Sequence, residues 1–128
     1  MRRVLLDSCV WLWWMADHPA LGKKARHIIS DERNLILVSA ATVWEVGIKR
    51  SKGGLQLEGN LQALVEDKGF VPLPIDLFHA QQAADLPLIH HDPFDRMLIA
   101  QAQAEGLELM TADTIIPQYG IRVIAARE

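Results

Sequence analysis

Four acidic side chains stand where an expected strand or helix begins or ends. Asp7 directly follows a short apolar run, and Asp113 follows a later apolar run by two residues. Glu45 and Asp95 fall in the first turns of two expected helices. Grouped carboxylates repel one another unless protons or cations intervene, and oxygen ligands suit Mg²⁺ or Mn²⁺ better than zinc. A hard cation held in this way can align a water molecule and neutralise charge at a phosphodiester.

Each of these acids also has a purely structural explanation. Asp7 is a suitable helix N-cap, and Asp113 is a common turn residue. Glu45 completes a possible capping box with Thr42, or pairs with Lys49 one helical turn later. The metal-site hypothesis therefore depends on all four acids reaching one edge of a sheet, and no single acid carries it.

The third acid of the group has two candidates, Asp92 and Asp95. Asp92 precedes Pro93 and opens the clearest helix in the sequence, which Gly106 ends. Aspartate suits the N-cap and proline the first helical position. We favour Asp95 as the metal ligand because Asp92 already has this capping role. Asp92 stays open as a residue that contacts the metal through water, and Asp95 as one that only favours the helix dipole.

Several neighbouring residues could support such a site. Ser8 and Thr111 could hydrogen-bond to a ligating carboxylate or to water, or act simply as turn and capping hydroxyls. Arg96 could contact a phosphate or steady the acids, and a surface salt bridge is the alternative. The pair His90–His91 suggests zinc, but no further His or Cys follows at ligand spacing. We expect these histidines in a loop.

Short apolar runs alternate with helical patterns along the chain, which predicts an α/β fold. Strands are predicted at residues 4–6, 35–38, 71–74, 107–111 and 121–124. Helices are predicted at 10–16, 20–30, from Ser39 or Thr42 to 51, 61–68, 77–85 and 93–105. The two prolines of the third strand suggest an edge position. Such alternation implies a parallel sheet covered on both faces, with ligands bound beyond the carboxyl ends of its strands.

Bulk composition excludes several classes of protein. The chain has 128 residues, half of them hydrophobic, without a repeat or a linker, and we expect one domain. Charged residues interrupt every apolar run, so no membrane span is expected. The start of the sequence lacks a cleavable signal pattern, and the single Cys9 cannot form an internal disulfide. We therefore expect a cytoplasmic protein. The net charge of −3 argues against nucleic-acid binding by overall charge alone.

Four segments carry a resemblance to a known family. They read LLDSCVWLWW at 5–14, VSAATVWEVGIK at 38–49, HDPFDRMLIAQA at 91–102 and GLELMTAD at 106–113. In this order and spacing they resemble the PIN domain, and specifically the VapC-type toxins of type II toxin–antitoxin systems. The resemblance covers essentially the whole chain.

This resemblance implies a single PIN domain over residues 1–128, built as a three-layer α/β/α sandwich around a mostly parallel sheet of about five strands. It implies an endoribonuclease dependent on Mg²⁺ or Mn²⁺. The family's four acids fall on Asp7, Glu45, Asp95 and Asp113, and its hydroxyl residue before the last acid falls on Thr111.

The resemblance also implies partners. Such toxins are usually homodimers that a cognate VapB-like antitoxin silences by covering the acidic pocket, and they cleave structured cellular RNA. The alternative is a PIN-like scaffold that binds RNA or a partner without cutting. All four acids are present, which favours the enzyme.

Overall fold

The computed structural model describes residues 1–128 as five β-strands, six α-helices and one 3-10 helix. The strands are β1 (Arg3–Leu6), β2 (Leu35–Ser39), β3 (Val71–Leu73), β4 (Glu108–Thr111) and β5 (Val123–Ala125). The helices are α1 (Ser8–Met15), α2 (Lys23–Ser30), α3 (Ala40–Ser51), α4 (Leu61–Glu66), α5 (Leu77–Asp85) and α6 (Pro93–Glu105), and the 3-10 helix spans Ile116–Tyr119. None of the helices combines the length and the apolar character that crossing a membrane would need.

The strands form one parallel sheet in the order β3-β2-β1-β4-β5. The middle strand, β1, is aligned with both neighbours through Leu5, which pairs with Leu37 on one side and with Leu109 on the other. The proline-containing β3 lies at an edge, as predicted. Because β1 and β4 are adjacent and parallel, the residues that follow them emerge side by side.

Side chains along the strands alternate between two hydrophobic layers. On β1, Val4 and Leu6 pack with α1, α2 and α4, whereas Leu5 packs on the opposite face with α5 and α6. All three side chains are fully buried. A strand buried on both faces requires a continuous apolar sequence, which is what the run at 4–6 supplies. The three-layer α/β/α sandwich around a parallel sheet is confirmed.

Helix α3 begins at the earlier of its two predicted start positions. Its N-cap is Ser39, whose hydroxyl accepts a hydrogen bond from Ala41 N–H at 3.0 Å. The predicted capping box between Thr42 and Glu45 is therefore wrong, because Thr42 already lies inside the first turn. Starting the helix at Ser39 buries Thr42 and leaves the Glu45 carboxylate available for other contacts.

A reciprocal capping box occurs instead at α5. Asp76 caps this helix by accepting from His79 N–H at 2.8 Å, and His79 Nδ1 accepts in return from Asp76 N–H at 3.2 Å. The other ring nitrogen of His79 lies 3.0 Å from Glu105 on α6. This buried histidine ties the beginning of α5 to the end of α6.

The tryptophans divide between the core and the surface. Trp11 is fully buried, Trp13 and Trp14 are partly buried, and Trp44 is 65% exposed. Adjacent residues on a helix point in different directions, so Trp11, Trp13 and Trp14 cannot share one packed face. The ring of Trp44 lies on the outer side of α3 and meets Phe94 edge to face.

Candidate metal centre

An open cleft of about 360 Å³ lies beyond the carboxyl ends of β1 and β4. The structure brings six of the eight predicted site residues together around it: Asp7, Ser8, Glu45, Asp92, Asp95 and Asp113. Thr111 is buried beside Asp7 and supports it, whereas Arg96 lies elsewhere. The cleft occupies the position where parallel α/β sheets usually bind ligands.

Asp7 is held by hydrogen bonds to both carboxylate oxygens. Oδ1 accepts from Val10 N–H at 2.8 Å, which makes Asp7 the N-cap of α1. Oδ2 accepts from the Thr111 hydroxyl at 2.5 Å, and that hydroxyl accepts from Asp113 N–H at 3.0 Å. Thr111 therefore connects the acids that follow β1 and β4, and the capping explanation of Asp7 is compatible with a place in the cleft.

Glu45 reaches the cleft from α3 and is oriented by two side chains. The Ser8 hydroxyl donates to Glu45 Oε1 at 2.6 Å, and Lys49 Nζ lies 3.3 Å from Glu45 Oε2. The predicted pairing of Glu45 with Lys49 is present. Ser8 orients this carboxylate in the same way that Thr111 orients Asp7.

His90, to which the sequence analysis assigned no role, contacts two of the acids that line the cleft. Its Nδ1 accepts from the backbone N–H of Asp92 at 3.1 Å, so the ring proton is on Nε2. The Nε2 atom lies 2.9 Å from Asp113 Oδ2 and 3.1 Å from Asp95 Oδ2. The buried ring therefore bridges two of the four acids, whereas His91 is exposed.

The available sequence signal for His90 is its place two residues before the N-cap of the helix that carries Asp95. That spacing puts the histidine in the loop at the same edge of the sheet. The sequence does not show that Tyr119, from a distant segment, holds the backbone of His90. The Tyr119 hydroxyl accepts from His90 N–H at 2.7 Å and donates to the Pro87 carbonyl oxygen at 2.7 Å.

Asp92 and Asp95 have different surroundings. Asp92 Oδ1 accepts from the backbone N–H groups of Phe94 and Asp95, at 2.8 Å and 3.2 Å, which confirms Asp92 as the N-cap of α6. Asp95 uses no oxygen in capping and lies beside His90. Both residues line the cleft, and of the two only Asp92 is engaged in capping.

Arg96 does not contact the acids, and the prediction that it lies at the site is wrong. Its guanidinium is buried beneath the turn between α5 and α6 and donates to backbone carbonyl oxygens. These acceptors belong to Ala83, Ala84, Leu86, Pro87 and His90. The side chain follows Asp95 by one residue, so it leaves α6 in a different direction. Arg96 fixes the turn that carries His90.

Burial and mutual repulsion raise the pKa of two cleft acids. Burial raises the pKa of Asp95 to about 7, the neighbouring charge of Asp92 adds to this effect, and His90 partly offsets it. Burial also raises the pKa of Asp7 to about 6, although hydrogen bonds from Thr111 and Val10 favour its charged form. Both carboxylates are costly to ionise in the absence of a cation.

Asp113 responds differently. Burial alone would raise its pKa, but hydrogen bonds from His90 and from the N–H groups of Ile115 and Ile116 outweigh that effect and lower it. The cleft therefore contains one acid held in its charged form beside two that resist ionisation. Carboxylate oxygens are the donors that Mg²⁺ and Mn²⁺ prefer. A divalent cation would favour the ionised state of all of them, so the residues present fit such an ion.

Comparisons with known proteins agree with this architecture. The family model of the PIN domain matches residues 4–121. No curated protein matches the sequence significantly. Among solved structures, VapBC2 from Rickettsia felis bound to a DNA fragment from their promoter is similar, with 16% identity and a TM-score of 0.68 over 95% of this chain and 97% of that one.

Two further structures show the same likeness. A toxin–antitoxin complex from Klebsiella pneumoniae has 17% identity and a TM-score of 0.68 over 96% of this chain and 97% of that one. VapBC-1 from nontypeable Haemophilus influenzae has 14% identity and a TM-score of 0.67 over 98% and 99% of the two chains. At identities this low, the similarity is one of fold.

Proposed function

Because this chain belongs to the PIN domain family, we propose that it is a divalent-metal-dependent endoribonuclease that serves as the VapC-type toxin of a type II toxin–antitoxin pair. The observation that carries the proposal is the meeting of Asp7, Glu45, Asp95 and Asp113 in one cleft. These acids come from four separate segments of the chain, and their mutual repulsion has no structural benefit. A cation-dependent reaction explains why they are gathered there.

The four acids would hold Mg²⁺ or Mn²⁺, with His90 outside the ligand set because its Nε2 carries a proton. When bound, the ion would supply charge neutralisation at a phosphodiester and a water molecule of lowered pKa. The chain's own residues provide orientation. Thr111 fixes Asp7, Ser8 fixes Glu45, and His90 holds Asp113 close to Asp95. Preorganised ligands of this kind need little rearrangement when the ion binds.

Partners follow from the same proposal. The similar structures from Rickettsia felis and Klebsiella pneumoniae are toxin–antitoxin complexes, which supports a VapB-like antitoxin as the cognate partner. We propose that the protein forms a homodimer, acts in the cytoplasm and cleaves structured cellular RNA. Residues 1–128 would act as one catalytic domain.

An RNA cleavage assay tests the proposal. The purified protein, freed of antitoxin, should cut cellular RNA in Mg²⁺ or Mn²⁺ and should lose this activity in EDTA. Asp7→Asn and Asp95→Asn should each abolish cleavage and relieve toxicity in bacterial cells, because each removes one negative charge from the cleft. Asp67→Asn is the matched control, because Asp67 is an exposed aspartate after α4, away from the cleft.

Products of cleavage should carry a 5′-phosphate and a 3′-hydroxyl, which adaptor ligation without enzymatic pretreatment detects. Sequencing such products from cells would also identify the RNA target. If the wild-type protein cuts no RNA at any Mg²⁺ or Mn²⁺ concentration, the endoribonuclease proposal is wrong. RNA or partner binding without cleavage would then support the scaffold function.

A further inference from the structure

Arg127 lies at the rim of the acidic cleft, and its guanidinium is not paired with a carboxylate. The residue is exposed and lines the cleft. Its guanidinium carbon is 5.0 Å from the centre of the Trp13 ring, which is cation–π contact distance. Arg127 forms no ion pair in the structure, although five carboxylates line the same cleft. Its N–H donors are therefore available to a ligand, while Trp13 limits where the group can lie.

The backbone beneath Arg127 is fixed by neighbouring segments. Ala126 N–H donates to the Thr111 carbonyl oxygen at 3.0 Å, and Gly22 N–H donates to the Ala126 carbonyl oxygen at 2.9 Å. A side chain at position 22 would place its Cβ 2.4 Å from the Arg127 carbonyl oxygen, so glycine is required for this approach. These tertiary contacts of the backbone therefore fix the position of Arg127 at the rim of the cleft.

Lys49 places a second positive charge on the same cleft. Its side chain is 54% exposed, and its Nζ lies 3.3 Å from Glu45 Oε2. Lys49 and Arg127 therefore line the same cleft as the acids that are suited to a divalent ion.

This arrangement matches the charge distribution of a nucleic-acid backbone. A hard cation held by the acids would lie against the phosphate that is cleaved. Arg127 and Lys49, the basic residues of the rim, can bind an adjacent phosphate directly. Arginine binds phosphate through a planar set of N–H donors, and lysine acts as a point charge. Backbone contacts of this kind fix the position of a nucleic acid without reading its sequence.

We infer that Arg127, held against Trp13 and assisted by Lys49, binds an RNA phosphate next to the one that lies over the acidic cleft. The inference rests on the proposed function for its choice of ligand. Arg127 would position the RNA strand, and the four carboxylates would bind the metal.

The test measures RNA binding separately from cleavage. A fluorescein-labelled RNA hairpin is titrated with the Asp7→Asn protein, which is not expected to cut it, and its anisotropy gives Kd at several KCl concentrations. Adding Arg127→Ala should weaken binding about tenfold and make the slope of log affinity against log salt shallower by about 0.7 to 0.9, the value for one lost phosphate contact. Arg127→Lys should give an intermediate Kd, because it keeps the charge and loses the planar donors.

Arg122→Ala is the matched control. Arg122 is also an exposed arginine in the same part of the chain. It precedes β5, whereas Arg127 follows β5, so the two arginines lie at opposite ends of this strand. Its loss should leave Kd and salt dependence unchanged. Gly22→Ala keeps every charge but displaces the backbone beneath Arg127, so it should weaken RNA binding while circular dichroism shows a folded protein.

In the cleavage-competent protein, Arg127→Ala should raise KM with little change in kcat, because a contact present throughout the reaction is lost. Equal Kd values and salt slopes for Arg127→Ala and Arg122→Ala, or no binding of the hairpin at all, would overturn the inference. If cleavage is absent while hairpin binding depends on Arg127, the inference stands and the endoribonuclease proposal fails.

Discussion

The side chain of Asp7 both caps a helix and lines the acidic cleft. One oxygen caps α1 and the other accepts from Thr111. Asp7→Asn keeps a capping oxygen, whereas Asp7→Ala removes both contacts. We expect both variants to lose RNA cleavage, and the alanine variant to unfold with a free energy about 1 kcal/mol lower than the asparagine variant. Urea denaturation of the two proteins measures the difference, and equal stabilities would show that the cap contributes nothing.

Asp95 should make the metal-free protein less stable as the pH rises. Its pKa is raised to about 7 in the folded protein and is close to 4 in an unfolded chain. The folded state therefore binds the proton more tightly. The resulting stabilisation is complete below about pH 4 and is lost as the pH rises through about 7.

Asp95→Asn has no such loss, so in EDTA it should be more stable than the wild type at pH 8, by about 2 kcal/mol after solvent screening. At pH 4 this advantage should have disappeared. Thermal unfolding across this range is the measurement, with Asp67→Asn as the control. A stability difference that does not change with pH would contradict the raised pKa of Asp95.

The sequence predicts Asp7, Asp95 and Asp113 because each stands close to the end of an element, and element ends can be recognised from local pattern. Glu45 lies farther from an end, in the second turn of α3. His90 and Arg127 are not predictable in the same way. The backbone of His90 is held by Tyr119, and the backbone of Arg127 lies against Gly22. These contacts join segments that are distant in sequence, and nothing in the local pattern of either residue reports them. Arg96 shows the opposite case. Its position next to Asp95 suggests a contact with the site, but adjacent side chains on a helix point in different directions, so the contact does not form.

At the scale of elements, Arg96 holds the turn between α5 and α6 through carbonyl oxygens at the end of α5 and in the following loop. Arg96→Met would keep the side-chain volume and leave these buried acceptors without a donor. We expect the free energy of unfolding to fall by about 3 kcal/mol. Urea denaturation measures the change, and Arg122→Met is the comparison, since Arg122 is exposed and donates to a single carbonyl oxygen. Similar losses for the two variants would exclude a special role for Arg96.

Element boundaries are predictable where the signals are unambiguous. Asp92, Pro93 and Gly106 define α6 correctly, and Gly106 takes the left-handed conformation with φ of 65° that glycine tolerates best. The start of α3 is less certain from sequence because Ser39 and Thr42 are both good N-caps. Packing decides between them, since Thr42 is buried and its hydroxyl lies 3.3 Å from that of Ser8. The 3-10 helix at Ile116–Tyr119 has no periodic signal and was not predicted.

At the scale of the whole molecule, binding of a divalent cation should stabilise the fold. The cleft is formed only in the folded chain, so an ion that occupies it shifts the unfolding equilibrium. At a free Mg²⁺ or Mn²⁺ concentration about 100 times Kd, the gain should be about 2.7 kcal/mol. Differential scanning fluorimetry should show a rise in Tm for the wild type and for Asp67→Asn, and little rise for Asp95→Asn. An equal rise in all three proteins would mean that the ion binds elsewhere.

The strand order has a consequence for the protein's synthesis. The central strand β1 is made first, yet its neighbour β4 and the Thr111 hydroxyl that meets Asp7 come 104 residues later. A ribosome adds about 5 to 20 residues each second, so for several seconds the growing polypeptide has only part of the acidic pocket. Whatever reaction this protein performs, translation must pass residue 113 before any copy can begin it.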